Sequence, residues 1–170
     1  MGMELIETIE VGSGGVAAIE FTSIPQDGLD LILLLSSRAD NAEQAFFTTL
    51  NNTTGYNYPQ SYIAWNGSSA QSGSRDDNGF YFQWHNKSST FAGIFSNSTT
   101  VFSNYASSSD KSFSIQSVAP NDSNSLNVYM FMQQGTYEST SGISSIKFTQ
   151  QASGNFVQYT IASLYKTTAD

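Results

Sequence analysis

Residues 143–165 read ISSIKFTQQASGNFVQYTIASLY. In the first half Ile143, Ser145 and Lys147 alternate with Ser144, Ile146 and Phe148. The second half carries Phe156, Tyr159, Ile161, Leu164 and Tyr165, and Gly154-Asn155 lies between the two. Period-two alternation broken by Gly and Asn predicts two strands and a turn, the signal of a hairpin. A counterpart stands near the start of the chain, AAIEFTSIPQDGLDLILLLSSR at residues 17–38. The pair predicts a sheet protein whose first and last strands both belong to its core. It points to no catalysis.

The same reading extends across the chain. Strands are predicted at Leu5–Val11, Val16–Phe21, Leu29–Ser37, Gln44–Leu50, Ser61–Trp65 and Gly79–Trp84. Further strands fall at Thr90–Phe95, Thr100–Asn104, Lys111–Val118, Leu126–Phe131, Gly142–Phe148 and Val157–Tyr165. Phe113 and Ile115 alternate with Ser112, Ser114 and Gln116, the pattern of a half-buried antiparallel strand. Leu29, Leu31, Leu33 and Leu35 alternate too, but Ile32 and Leu34 fill the opposite face. That strand is expected to be central and covered on both sides, the second cover being a loop or another subunit. Helical periodicity is absent. The expectation is an all-β fold, an antiparallel β-sandwich of jelly-roll type. It spans residues 1–170 as one domain, with a long polar loop at about 66–78.

The chain has 170 residues, no cysteine and a formal net charge of -8, from six basic and fourteen acidic residues. Missing cysteine removes disulfides, thiolate metal sites and Cys nucleophiles together. Charged residues are only 12 %, while Ser, Thr and Asn make up about a third of the chain, so hydroxyls and amides solubilise the surface. Arg38, Arg75, Lys87, Lys111, Lys147 and Lys166 are scattered, which argues against nucleic-acid binding. Met1–Glu10 is acidic where a signal peptide is basic, and Leu29–Leu35 is too short to span a bilayer.

Few residues invite chemistry. His85 is the only histidine, which leaves a single candidate for acid–base work and no His-rich metal site. No GxSxG, HExxH or phosphate-cradling glycine loop occurs. Asp76 and Asp77 beside Asn78 are candidate calcium oxygens, but they lack the alternate-residue spacing of a calcium loop. No carboxylate pair at glycosidase separation is visible. No cofactor is expected. Six Asn-x-Ser/Thr matches, from Asn51 to Asn121, follow from composition. Aromatics are the richest class. Tyr56, Tyr58, Tyr62 and Trp65 precede the polar loop, and Tyr81 and Trp84 follow it. These six are the interface or ligand candidates, because aromatic and amide surfaces serve both subunit packing and glycan binding.

Several segments resemble a class of tailed-phage virion structural proteins, especially those of cyanobacterial and other aquatic phages. The opening match is Ile19-Glu20-Phe21-Thr22-Ser23-Ile24-Pro25-Gln26, then Leu29-x-Leu31 and Ser36-Ser37-Arg38. The closing match is Ile143-x-x-Ile146-x-Phe148, Gly154-Asn155-Phe156 and Thr160-x-Ala162-Ser163-Leu164-Tyr165. Asn104-Tyr105 and Lys111 match between them. In that class a glycine usually follows the closing tyrosine, whereas Lys166 stands here. The resemblance implies a non-enzymatic protein at the virion surface, either a capsid decoration or cement protein or a tail-fibre module that recognises a host glycan. Cement is favoured, because no coiled-coil or β-helical shaft is present. The partners so implied are the major capsid protein or another virion protein, and further copies of the chain. A trimer suits the three-fold positions of an icosahedral shell.

Overall fold

A computed structural model describes residues 2–41, 45–83, 86–88, 93–120, 128–150 and 153–169. The described residues form twelve strands: β1 (Gly2–Glu10), β2 (Ala18–Phe21), β3 (Leu31–Ser37), β4 (Ala45–Leu50), β5 (Gln60–Trp65), β6 (Ala70–Arg75), β7 (Phe80–Gln83), β8 (Ser96–Phe102), β9 (Lys111–Pro120), β10 (Val128–Tyr137), β11 (Ile146–Gln150) and β12 (Ile161–Thr168). They form an antiparallel β-sandwich. The larger sheet has eight strands in the order β1-β12-β3-β8-β9-β10-β5-β6, and the smaller has four, β2-β11-β4-β7. Among the described residues there is no helix.

Alternation decides which face each strand buries. In β9, Lys111, Phe113, Ile115, Ser117 and Ala119 are buried, and the residues between them are exposed or half-buried. The inward set of β3 is Leu31, Leu33 and Leu35, each at most 2 % exposed. Aromatic rings join the two sheets. Phe80 of the smaller sheet stacks on Phe113 of the larger at 4.6 Å and leans on Phe102 at 5.9 Å. Phe46 of β4 meets Phe148 of β11 edge-on at 5.7 Å and Phe156 at 5.5 Å. Each such ring, fully buried, is worth about 1.5–3 kcal/mol over leaving it exposed.

The opening and closing segments do pair, though not as a hairpin of residues 143–165. β11 joins the smaller sheet between β2 and β4, while β12 joins the larger between β1 and β3. Ile146 and Phe148 on one strand and Ala162 and Leu164 on the other enter the same core. The two strands therefore lie across the core from each other. Gly154-Asn155 belongs to the crossing, which Phe156 anchors by bridging to Val16 and Ala39.

Two further expectations change. The polar loop at 66–78 contains β6, which pairs with β5 along its whole length. The tight turn is set by Asn66, whose Oδ1 accepts from the Ser68 and Ser69 N–H groups. β6 is an edge strand exposed along most of its length, so it needs no apolar alternation and reads as a loop. The outer face of β3 is also uncovered. Leu34 is 39 % exposed and Ile32 is half-buried. The strand expected at Thr90–Phe95 lies largely outside the described residues, and its described part, residues 93–95, is not a strand.

Candidate functional site

The five aromatic candidates among the described residues do not form one site. Tyr58 is fully buried and its ring stacks on Tyr137 at 5.1 Å. Its hydroxyl accepts from Leu50 N–H at 3.0 Å and faces the Leu50 carbonyl at 3.3 Å. Burial pushes the Tyr58 phenol far above its ordinary value. It is a core residue, removed from any surface ligand. Tyr62 points inward, stacked on Phe131 at 5.5 Å. The Arg75 guanidinium lies 5.6 Å from the Tyr62 ring and 4.8 Å from that of Tyr81. Since Tyr62 belongs to the larger sheet and Tyr81 to the smaller, this cation closes the open side of the sandwich. Tyr56 is 72 % exposed on the loop before β5, and Trp65 is 43 % exposed at the end of β5. Trp84 and His85 lie outside the described residues.

The acidic pair has local duties. Asp76 Oδ1 accepts from Tyr58 N–H at 3.1 Å, and Asp77 Oδ1 from Asn78 N–H at 3.0 Å. Among the described residues no three His, Asp or Glu side chains gather closely enough to hold a metal ion.

Strand register brings together a surface that no single segment of sequence reveals. Three cross-strand rows of eight residues run over the outer face of the larger sheet. The first reads Leu5, Tyr165, Ile32, Val101, Ser114, Gln134, Ser61 and Ser74. The second reads Thr8, Ser163, Leu34, Thr99, Gln116, Met132, Ile63 and Ser72, and the third Glu10, Ile161, Ser36, Asn97, Val118, Met130, Trp65 and Ala70. Glu10, at one corner, is the only charged residue of the twenty-four.

Apolar side chains concentrate at the β9–β10–β5 end. Ile63 is 60 %, Met130 51 % and Met132 47 % exposed there, beside Trp65 and Val118. Three adjoining depressions of about 590, 580 and 440 Å³ form a trough along this end. One half is lined by Ser61, Ser74, Ser114 and Gln134, the other by Ile63, Trp65, Met130 and Met132. Hydroxyls and amides cannot carry proton transfer near neutral pH without an activating base.

Residues from the first turn, from the stretch around Tyr105 and from the stretch before β11 meet elsewhere, in a knot at one end of the sandwich. Gln26 donates from Nε2 to the carbonyls of Ile24 and Ile143, at 2.8 and 2.9 Å. The Tyr105 hydroxyl donates to the Pro25 carbonyl and accepts from Gly28 N–H at 3.2 Å. Ile143 N–H in turn donates to the Tyr105 carbonyl at 2.8 Å. Lys111 is buried and donates from Nζ to the carbonyls of Ser139 and Ser141, at 2.8 and 2.6 Å. Burial lowers its ammonium pKa from the ordinary value. Lys166 has a role here as well. Its Nζ sits 2.7 Å from Asp27 and 3.4 Å from Glu4, so it ties β1 and the first turn to β12. These residues hold the scaffold and touch no open surface of the trough.

Comparison with protein-family models, curated proteins and solved structures finds no match.

Proposed function

We propose that this chain is a non-enzymatic virion structural protein, a capsid decoration or cement protein that sits at the virion surface and binds the shell through the outer face of its larger sheet. The single observation behind this reading is the near absence of charge on that face, with exposed Ile, Met, Val and Trp side chains gathered at one end. Charged residues are depleted and Met and aromatics enriched at the centres of protein interfaces. A cement protein has to bury surface and needs no reaction. The major capsid protein is the proposed partner, and the open outer face of β3 supports self-association, three copies in this reading.

The strand orders also support a jelly-roll reading. An eight-stranded jelly roll pairs first-eighth-third-sixth in one sheet and second-seventh-fourth-fifth in the other. The order β2-β11-β4-β7 matches the first of these. The run from β3 through β8-β9-β10 to β5 and β6 matches the second, with a three-stranded meander in place of one strand and β12 and β1 added outside.

Particle stability is the test. Virions lacking the protein are mixed with the native chain or with Ile63→Glu/Met132→Glu, then heated. The native chain raises the temperature of shell rupture, and the double variant fails to bind at equal concentration. A Tyr56→Ala control on the exposed loop behaves as native. A rival reading, glycan recognition by a fibre module, draws on the hydroxyl-and-amide half of the trough, with Trp65 in the adjoining apolar half. Unchanged particle stability with lost host adsorption would establish that rival and sink the cement reading.

A further inference from the structure

The two edges of the larger sheet differ in kind. β1 carries Glu4, Glu7 and Glu10 and no base, and its outward Met3 and Leu5 are 58 % and 51 % exposed. β6 reads AQSGSR: its outward residues are Ala70, Ser72 and Ser74, its only charge is Arg75, and it has neither proline nor acid. Exposed edges invite pairing unless charge, proline or a bulge blocks them. Two β1 edges repel each other through their glutamates. β6 has no such guard. Among the described residues Arg75 has no carboxylate partner and Glu7 no cationic one.

Chain direction completes the match. All seven pairings of the larger sheet are antiparallel. With an even number of strands, β1 and β6 run in opposite directions. A second copy placed beyond β6 in the same orientation therefore presents its β1 antiparallel to β6, and the ladder continues unbroken.

From these observations we infer that the chain associates head to tail, the β1 edge of one copy adding to the β6 edge of the next. This rests on the homo-oligomer reading above. The segment Gly2–Leu5 precedes the β1 irregularity between Leu5 and Glu7, so it can pair regularly. Setting Leu5 opposite Ser72 puts Met3 opposite Ser74 on the outer face. The two large apolar side chains then lie over small neighbours. On the inner face the same register sets Glu4 opposite Gly73 and diagonal to Arg75, within reach of a long side chain. Main-chain hydrogen bonds supply the affinity, as in other strand-addition interfaces, and the side-chain fit supplies the selectivity. A heterologous contact of this kind closes into a ring or extends as a filament, unlike a two-fold contact.

The absence of cysteine makes the test direct. Leu5→Cys and Ser72→Cys chains are prepared separately, checked for native far-UV circular dichroism, then mixed and oxidised, while light scattering gives the mass of the native protein. The expected result is an oligomeric native protein and a covalent dimer only in the mixture, because a head-to-tail contact sets Leu5 against Ser72 and never against its own copy. Disulfide dimers of Ser72→Cys alone would show a two-fold β6–β6 contact and overturn the inference. An oligomer with no cross-link in the mixture overturns the inference and leaves self-association standing. A native protein that is monomeric at micromolar concentration overturns both.

Discussion

Single side chains decide how firmly the loops are held to the sheets. Tyr58 is the clearest case, because its hydroxyl satisfies the buried Leu50 N–H. Tyr58→Phe keeps the ring stack on Tyr137 and strips that partner. An orphaned buried donor costs about 1–3 kcal/mol, so chemical denaturation should show a loss in that range with an unchanged slope. Tyr58 was legible as an aromatic of interest but not as core, since its place in a polar loop carries no periodicity. The Asp27–Lys166 pair gives a pH signature. The Lys166 hydrogen bond lowers the Asp27 carboxyl below its ordinary value of 3.8, and Asp27 raises the Lys166 ammonium above 10.5. A depressed carboxylate adds stability that is present above 3.8 and is lost as pH falls through the lower folded value. The raised ammonium adds stability that is complete below 10.5 and fades only as pH climbs past the higher folded value. The melting temperatures of the native protein and Asp27→Asn should thus differ by a steady amount across neutral pH. The gap should close as pH falls below 3.8. A gap that widens in acid would contradict the assignment. Asp27 is largely exposed, so added salt should narrow the gap as well.

At the scale of strands, the sequence announced those with one wet face and missed those without an inside. β3, β9 and β12 were legible because burial on one side imposes a period of two. β6 was not, because an edge strand exposed along most of its length takes any small polar residue. The hairpin expected in residues 143–165 failed for a related reason. Alternation tells which side chains face the core, and two strands facing each other across a sandwich carry the same alternation as two strands side by side. What separates the cases is contact made by the link, here the buried Phe156. Close approach between elements also leaves a mark. A Cβ on Gly135 in β10 would come within 2.7 Å of the Pro59 carbonyl and against the Phe113 ring. Gly135→Ala should therefore force the β5–β10 pair apart and destabilise the fold by about 1–3 kcal/mol, read as a lower melting temperature. Gly14→Ala is the control, since nothing lies within 4 Å of its Cβ. Equal melting temperatures for the two variants would show that β10 has room to shift.

At the scale of the molecule, the three cross-strand rows of the surface that the proposed function uses hold a single charge, that of Glu10. The sequence showed the sparse charge and the spare aromatics, but the outer face needed register. Its apolar residues come from all eight strands of the larger sheet, spread between Leu5 and Tyr165, and no local window contains them. Register also explains why the aromatic candidates among the described residues scatter, because neighbours in sequence on a strand point to opposite faces. The arrangement makes a prediction about salt. The net charge of -8, of which the three rows hold only Glu10, acts on the contact mainly through long-range repulsion or attraction, which ions screen. The contact itself, uncharged in all but one of its twenty-four positions, has almost nothing to screen. Raising salt from about 0.1 M to about 1 M shortens the screening length from roughly 10 Å to roughly 3 Å. An interface held by ion pairs then weakens by orders of magnitude, whereas one held by buried apolar area keeps or gains affinity, since salt does not weaken burial. Occupancy of the shell, followed by sedimentation of particles across that salt range, should stay level or rise. A steep fall would mean that the shell is gripped by charged residues elsewhere on the molecule, and the outer face of the larger sheet would lose its proposed role.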